Sequence, residues 1–118
     1  MATVLVVEDE HPQIFQRALE IIGGYDVLIA TRGDMAVEMA REHHLDAIIM
    51  DLRLPGLSGI EAIQAIREFN QVVPIFAVTA YTDAPTREAA INAGANLFQA
   101  KPVDFTILLD QLEKVVAG

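Results

Sequence analysis

Short apolar stretches of this sequence each end in side chains that could do chemistry. "TVLVV" leads into Glu8, Asp9 and Glu10, "AIIM" into Asp51, "IFAV" into Thr79, and "NLFQA" into Lys101. Carboxylates that crowd together either raise one another's pKa or bind a cation. Oxygen ligands without cysteine suit a hard ion, and a small site with few carboxylates suits Mg²⁺. The residue types therefore favour a magnesium site.

The same set of side chains contains the parts that phosphoryl transfer needs. A bound cation neutralises an incoming phosphoryl group, and a lysine such as Lys101 holds its oxygens as a point charge. The hydroxyl of Thr79 can bond to a phosphate oxygen. Asp51 would be the nucleophile that forms an acyl phosphate.

Each of these residues also has an ordinary structural explanation. An acidic run favours the start of a helix, and Asp51 precedes "LPG", which is typical of a turn. Thr79 is a β-branched strand residue, and Lys101 can extend from a strand end into water. Only the coincidence of all of them favours a chemical site over these separate explanations.

The elements that must position these side chains alternate along the chain. Apolar runs at residues 3–8, 26–30, 46–50, 74–80 and 96–100 are apolar at consecutive positions, which is typical of strands buried on both faces of a parallel sheet. Helical patterns follow at 12–22, 34–43, after Ser58, at 84–93 and after Asp104. Right-handed crossovers then place helices on both faces, so the pattern predicts a doubly wound α/β domain with its ligand site at the carboxyl ends of the strands.

Capping residues mark the helix boundaries. Ser58 and Glu61 have the spacing of a capping box, and Asp83 and Asp104 stand at the starts of the fourth and fifth helices. These positions predict where each helix begins.

The first helix carries an apolar pattern at residues 12–22. Its residues Phe15, Leu19 and Ile22 have the spacing of one buried face, and Gly23-Gly24 is expected to end it. The pattern predicts that all three side chains pack on the sheet.

Length and composition narrow the class of protein. A chain of 118 residues suits a single domain, 1–118, and without cysteine it has neither a disulfide framework nor a thiolate metal site. The net charge of −9 and the lack of a Lys/Arg cluster disfavour direct nucleic-acid binding. The sequence has neither a membrane-span-length apolar run nor a signal-peptide pattern, so we expect a soluble, cytoplasmic protein.

Four motifs resemble those of one protein family. "VLVVEDE", "IIMDLRLPGLSGIE", "PIFAVTAYT" and "AGANLFQAKP" occur in the order and at the separations found in receiver domains of the two-component response-regulator family. The resemblance covers nearly the whole chain. It implies a flavodoxin-like (βα)5 three-layer sandwich with strand order 2-1-3-4-5, either as a stand-alone regulator or as part of a longer protein.

The resemblance also implies roles for individual residues. Asp51 is expected to be the phosphoacceptor. The expected Mg²⁺ ligands are Asp9 directly, Glu8 through water, Asp51, and the backbone carbonyl of Arg53. Glu8-Asp9 stands where many relatives have two aspartates, a variant compatible with metal binding.

Further residues are expected to bind the phosphoryl group and report its presence. By resemblance, Lys101 pairs with the phosphoryl group and is followed by a cis bond to Pro102, while the Ala80 N–H meets a phosphate oxygen. Thr79 is the switch hydroxyl. Phe98 is the switch aromatic, in place of the commoner tyrosine.

Two large residues flank the expected site. Arg53 and Tyr81 follow Asp51 and Thr79 by two positions, where the family tunes the lifetime of the phosphoryl group. We expect both side chains to hinder attacking water and lengthen that lifetime.

The expected partners follow from the same resemblance. They are a sensor histidine kinase or a histidine phosphotransfer protein, and a downstream effector protein or domain. The effector would read a surface formed by the fourth helix, fifth strand and fifth helix, through which the protein would be a monomer or a weak dimer.

Three other functions fit the sequence less well. A phosphatase or phosphotransferase of the haloacid dehalogenase type needs a second aspartate two residues after the nucleophile, where Arg53 stands. A pseudo-receiver, a binding module that is never phosphorylated, would not need the full set of site residues. A Rossmann-like nucleotide site is disfavoured because "EDEHPQ" has no glycine to admit a pyrophosphate. The protein is therefore expected to signal and not to act on a metabolite.

Overall fold

In the part of the chain that the structure describes, five strands alternate with five helical segments, as the sequence pattern predicts. The computed structural model describes residues 2–81 and 83–117, so Thr82 of the motif "PIFAVTAYT" lies outside the described residues. The strands are β1 (Thr3–Val7), β2 (Asp26–Ala30), β3 (Ala47–Asp51), β4 (Ile75–Thr79) and β5 (Leu97–Ala100). The helices are α1 (Pro12–Arg17), continued by a π-helical segment (Ala18–Ile22), then α2 (Gly33–Glu42), α3 (Gly59–Arg67), α4 (Ala84–Ala93) and α5 (Phe105–Ala117).

All five strands are parallel, and their order is β2-β1-β3-β4-β5. This confirms the predicted doubly wound sheet and its strand order. The register places Asp51 beside Val78 and Thr79 beside Ala100. Because the carboxyl ends of parallel strands meet at one edge, the residues that end β1, β3, β4 and β5 converge there.

The central strands β1, β3 and β4 are buried on both faces, whereas the edge strands β2 and β5 are partly exposed. The sheet separates two hydrophobic cores. Val4 and Val6 of β1 pack in the core under α1 and α5, whereas Leu5 and Val7 pack in the core under α2, α3 and α4. This alternation explains why the strand sequences are continuously apolar, since side chains of either parity meet a helix layer.

The predicted helix starts are confirmed by their caps. Ser58 and Glu61 form a reciprocal capping box at the start of α3. Asp83 accepts the Thr86 N–H at the start of α4. Asp104 accepts the Ile107 N–H at the start of α5, 3.2 Å away.

The prediction for the apolar face of the first helix is wrong in its last turn. Phe15 and Leu19 are buried, but Ile22 is 72% exposed and Ile21 is 79% exposed. The cause is the π-helical segment, whose i→i+5 hydrogen bonds place more residues in each turn and rotate Ile22 off the face that Phe15 defines.

A glycine fixes the path of the chain after β3. The N–H of Gly59 donates to the Leu52 carbonyl, and a Cβ at Gly59 would lie 2.3 Å from the Asp51 carbonyl oxygen. Any larger residue would force the start of α3 away from the end of β3. In the part of the chain that the structure describes, no helix is long and apolar enough to cross a membrane.

Candidate functional site

Asp51 lies at the last position of β3 and is 2% exposed. Its Oδ1 accepts a hydrogen bond from the Arg53 N–H at 2.9 Å, and its Oδ2 accepts one from Lys101 Nζ at 2.8 Å. β3 therefore ends in a buried carboxylate, and each of its two oxygens accepts one hydrogen bond.

Lys101 joins two buried carboxylates. Its Nζ lies 2.6 Å from Glu8 Oε1 as well as 2.8 Å from Asp51 Oδ2. The other oxygen of Glu8, Oε2, accepts the N–H groups of Glu10 and His11, both at 2.9 Å. Both carboxylate oxygens of Glu8 are thus engaged, and the peptide bond from Lys101 to Pro102 is cis.

Burial and pairing set the protonation of these groups. Burial raises the pKa of Asp51 above its usual value, and hydrogen bonds from Lys101 and the Arg53 N–H offset this only in part. Burial also raises the pKa of Glu8, but the hydrogen bonds from Lys101 and two backbone N–H groups outweigh it and leave the pKa lowered. Burial lowers the pKa of Lys101, yet its bonds to the two carboxylates leave it raised. Lys101 is therefore held as a cation.

The acidic residues fit a small divalent cation. Oxygen atoms of Glu8, Asp9 and Asp51 lie within 4.8 Å of one another. Asp9 is exposed, so its carboxylate is open to solvent, whereas the two buried partners are already bonded to Lys101. An oxygen-only donor set with few carboxylates matches Mg²⁺, which keeps several waters.

Thr79 lies at the end of β4, beside the site. It is 1% exposed, and its hydroxyl oxygen accepts the Tyr81 N–H at 3.1 Å. Phe98, on β5, is half-buried with the Arg87 guanidinium 5.9 Å from its ring centroid. The hydroxyl and the aromatic ring thus belong to the neighbouring strands β4 and β5.

A cavity of about 200 Å³ opens over Asp51. It is lined by Glu10, Asp51, Arg53, Ala80, Tyr81 and Lys101. The guanidinium of Arg53 stacks over the Tyr81 ring, 4.5 Å from its centroid. The cavity therefore has a charged floor, formed by Asp51 and Lys101, and a stacked pair at its wall.

Sequence reasoning missed two features of this region. Glu10 was named only as a member of the acidic run after β1 and was given no role, yet its side chain lines the cavity. Arg87 was not singled out, because nothing in its local sequence shows that α4 brings it towards Phe98.

The fold and the site together define one class of protein. It is a parallel α/β domain with an acidic cluster and a lysine at the carboxyl edge of the sheet. The sequence profile of the response regulator receiver domain matches residues 4–113. The chain belongs to the response regulator receiver domain family.

Named relatives of the chain include two transcriptional regulatory proteins. KdpE of Mycobacterium tuberculosis is 38% identical over 119 residues, which cover 98% of this chain and 51% of KdpE. ZraR of Escherichia coli is 35% identical over 116 residues, which cover 97% of this chain and 26% of ZraR. The chain therefore spans about half of one relative and about a quarter of the other.

A solved structure supports both the fold and the nature of the site. The receiver domain of a sensor histidine kinase from Pseudomonas aeruginosa superposes with a TM-score of 0.91 at 34% identity, covering 99% of this chain and 98% of that one. That structure has a magnesium ion coordinated in its active-site cleft. The acidic cluster of this chain is of a kind that can bind such an ion.

Proposed function

We propose that this chain accepts a phosphoryl group on Asp51 and passes the signal to an effector. The observation that carries the proposal is the setting of Asp51, a buried carboxylate at a strand end held by Lys101 and by the Arg53 N–H. A purely structural aspartate would not need a lysine that also reaches Glu8, nor a cavity open to solvent above it.

The chemistry would be a displacement at phosphorus. A carboxylate oxygen of Asp51 forms a bond to phosphorus while the bond from phosphorus to a donor histidine nitrogen breaks, and the electron pair leaves with that nitrogen. Mg²⁺, when bound, would neutralise charge on the phosphoryl oxygens. Glu8 through water, Asp9, Asp51 and the Arg53 carbonyl would hold it.

Lys101 and the turn after β4 would receive the phosphoryl oxygens. Lys101 Nζ already contacts Asp51 Oδ2, so a small movement would bring the ammonium group into contact with a phosphoryl oxygen. The N–H of Ala80, which lines the cavity, would donate to another oxygen. Both groups stabilise negative charge without moving far from the positions they occupy.

The switch would begin with the Thr79 hydroxyl. To bond a phosphoryl oxygen, the hydroxyl must turn from the Tyr81 N–H that it now accepts. Phe98 would then turn into the space released near Thr79 and alter the surface formed by α4, β5 and α5. Exposed apolar residues Ile91 and Ile107 lie on α4 and α5, where an effector or a weakly associated second copy would bind.

A second cavity lies where the phosphodonor would approach Asp51. It has a volume of about 200 Å³ and is lined mainly by apolar side chains of α1 and of the β5–α5 connection, together with Glu8 and Lys101. Ile14 at its rim is 55% exposed. An apolar surface beside Lys101 would let a sensor histidine kinase or phosphotransfer protein approach Asp51.

Intact mass spectrometry tests the proposal directly. The protein is incubated with acetyl phosphate and Mg²⁺, beside Asp51→Asn and the matched control Asp26→Asn, an exposed aspartate at the start of β2. We expect one phosphoryl group on the unsubstituted protein and on Asp26→Asn, and none on Asp51→Asn. A phosphoryl group that survives Asp51→Asn would contradict the role of Asp51, and no gain in any protein would favour a pseudo-receiver.

A further inference from the structure

The two ends of α4 are supported very differently by the rest of the protein. Ala90 and Ala95, at and just beyond the carboxyl-terminal half, are buried, whereas Ala84, Pro85 and Glu88 in the amino-terminal half are exposed. Burial of apolar surface is the main force that holds a helix on a domain. The helix therefore packs on the core mainly through Ala90 and the residues near its carboxyl end, although Ile91 and Asn92 face solvent.

A single arginine fixes the packed end. Arg67, at the end of α3, donates from Nε and Nη2 to the Gly94 carbonyl, at 3.0 and 2.8 Å. Its Nη1 donates to the Asn70 carbonyl at 3.0 Å, and its Nη2 donates to Asn96 Oδ1 at 2.9 Å. Asn96 Oδ1 also accepts the Ile75 N–H at 2.8 Å. We call this set of contacts the Arg67 clamp, and it ties the end of α4 to α3 and to the start of β4.

The clamp depends on glycine at its centre. Gly94 ends α4 with φ +124°, a backbone conformation that favours glycine. A Cβ at this position would lie 2.6 Å from Arg67 Cγ. The close approach of guanidinium and carbonyl is therefore possible because the helix ends in glycine.

In the described residues 83–89, no such contact holds the other end of α4. Among residues 83–89, which the structure describes, the side-chain hydrogen bonds are those of Thr86 to Asp83, all within the cap itself. The Arg87 guanidinium, 5.9 Å from the Phe98 ring centroid, is at the outer limit of a cation–π contact. This end follows Thr79 by only a few residues and would receive any movement there.

We propose that α4 is a lever whose fulcrum is the Arg67 clamp, so that its amino-terminal half moves while residues 91–96 stay in place. The proposal rests on the proposed function only for the event that drives the movement, phosphorylation at Asp51. The asymmetry itself is a property of the unmodified protein. Arg67 acts through the Gly94 carbonyl and Asn96, and it touches none of the reacting groups.

Amide hydrogen exchange of the unmodified protein tests the lever. We expect Asn92 and Ala93 to exchange about tenfold more slowly than Glu88 and Ala89, since a charged hydrogen bond is lost when the clamped end opens. Helix ends otherwise fray, so this order is not the one that an unsupported helix would show. Exchange that is uniform along α4 would overturn the proposal.

Three substitutions test whether the Arg67 clamp causes the difference in amide exchange rate between the two halves of α4. Arg67→Gln and, in a separate protein, Asn96→Leu should abolish the difference, whereas Asn96→Asp keeps the acceptor and should preserve it. Arg41→Gln is the matched control, since Arg41 stacks over Phe69 outside the clamp and carries the same charge. A difference that survives both Arg67→Gln and Asn96→Leu would overturn the assignment.

Spin-label distances locate the movement on activation. The chain has no cysteine, so labels can be placed at Glu38→Cys with either Glu88→Cys or Asn92→Cys, one helical turn apart. With beryllofluoride and Mg²⁺ as the phosphoryl mimic, we expect the distance to residue 88 to change and that to residue 92 to stay constant. Equal changes would overturn the lever. Failure of beryllofluoride to bind would count against phosphorylation at Asp51, while hydrogen exchange would still decide the lever.

Discussion

The guanidinium of Arg53 lies over the ring of Tyr81, with Cζ 4.5 Å from the ring centroid. The N–H of Arg53 donates to Asp51 Oδ1, and the N–H of Tyr81 donates to the Thr79 hydroxyl. The stacked pair therefore joins the turns after β3 and β4. Arg53 also holds the proposed phosphoacceptor, Asp51, and Tyr81 holds the proposed switch hydroxyl of Thr79.

We predict that this pair acts as a unit on the lifetime of the phosphoryl group. Arg53→Ala or Tyr81→Ala should each accelerate hydrolysis about two- to fivefold, because an exposed cation–π contact contributes about 0.5–1 kcal/mol. The phosphoryl group of the double variant should be hydrolysed more slowly than the product of the two single rate increases would predict. Either single change already breaks the stack, so the second change adds little. Loss of the phosphorylated mass with time measures all four rates.

Arg32→Ala is the control for this double-mutant cycle. Arg32 pairs with exposed Asp34, outside the set of residues that line the cavity, and its removal should leave the rate unchanged. Strictly multiplicative effects of Arg53→Ala and Tyr81→Ala would show that the two side chains act independently.

Removal of the Lys101 charge should destabilise the protein and increase its response to Mg²⁺. In Lys101→Met, Glu8 and Asp51 remain buried without their cation, at a cost of about 2 kcal/mol in the free energy of unfolding. Mg²⁺ should recover part of this loss, because it supplies positive charge to the same carboxylates. Urea unfolding with and without Mg²⁺ gives both quantities.

Lys114→Met provides the matched comparison. Lys114 pairs with Asp110 on the surface of α5, and exposed pairs contribute less than about 1 kcal/mol. A loss of stability in Lys101→Met no larger than that in Lys114→Met would contradict the bridging role of Lys101.

Asp9 should contribute more to Mg²⁺ affinity than its exposed position suggests. If it is a direct ligand, Mg²⁺ raises the thermal midpoint of the unsubstituted protein, with a stabilisation of about 2.7 kcal/mol at a hundredfold excess over the dissociation constant. Asp9→Asn should lose most of this shift, and Asp26→Asn should retain it. An Asp9→Asn protein with the full Mg²⁺ response would remove Asp9 from the ligand set.

Gly59→Ala should disturb the turn that carries Asp51. The added Cβ would lie 2.3 Å from the Asp51 carbonyl oxygen, and such overpacking costs about 1–3 kcal/mol. Gln64→Ala, an exposed position on the same helix, should change stability by less than about 0.5 kcal/mol. Equal midpoints of urea unfolding in the two variants would contradict the close approach of α3 to β3.

The sequence was sufficient to predict which residues would meet, because parallel strands bring their carboxyl ends to one edge. This applies to Glu8, Asp51, Thr79 and Lys101, each of which follows or ends an apolar run. Helix starts such as Ser58 were equally predictable, since a cap acts on N–H groups only two or three residues away.

Contacts between distant surface side chains were not predictable in this way. The stack of Arg53 on Tyr81 and the clamp of Arg67 on Gly94 depend on how far neighbouring elements lie apart, which no local pattern records. The exposure of Ile22 had a different cause, because apolar periodicity assumes an α-helix and the chain forms a π-helical segment there.

The bond between Lys101 and Glu8 joins residues that are 93 positions apart. Closing so long a segment of chain costs conformational entropy that only the assembled sheet can offset. β1 and β5 are separated by β3 and β4 in the sheet, so this bond forms only after the three intervening strand pairings are in register. In a chain still emerging from the ribosome, before β5 has been synthesised, Asp51 would be present without Lys101 beside it. Competence to be phosphorylated would therefore arise only once the sheet is complete, and it would mark a folded domain.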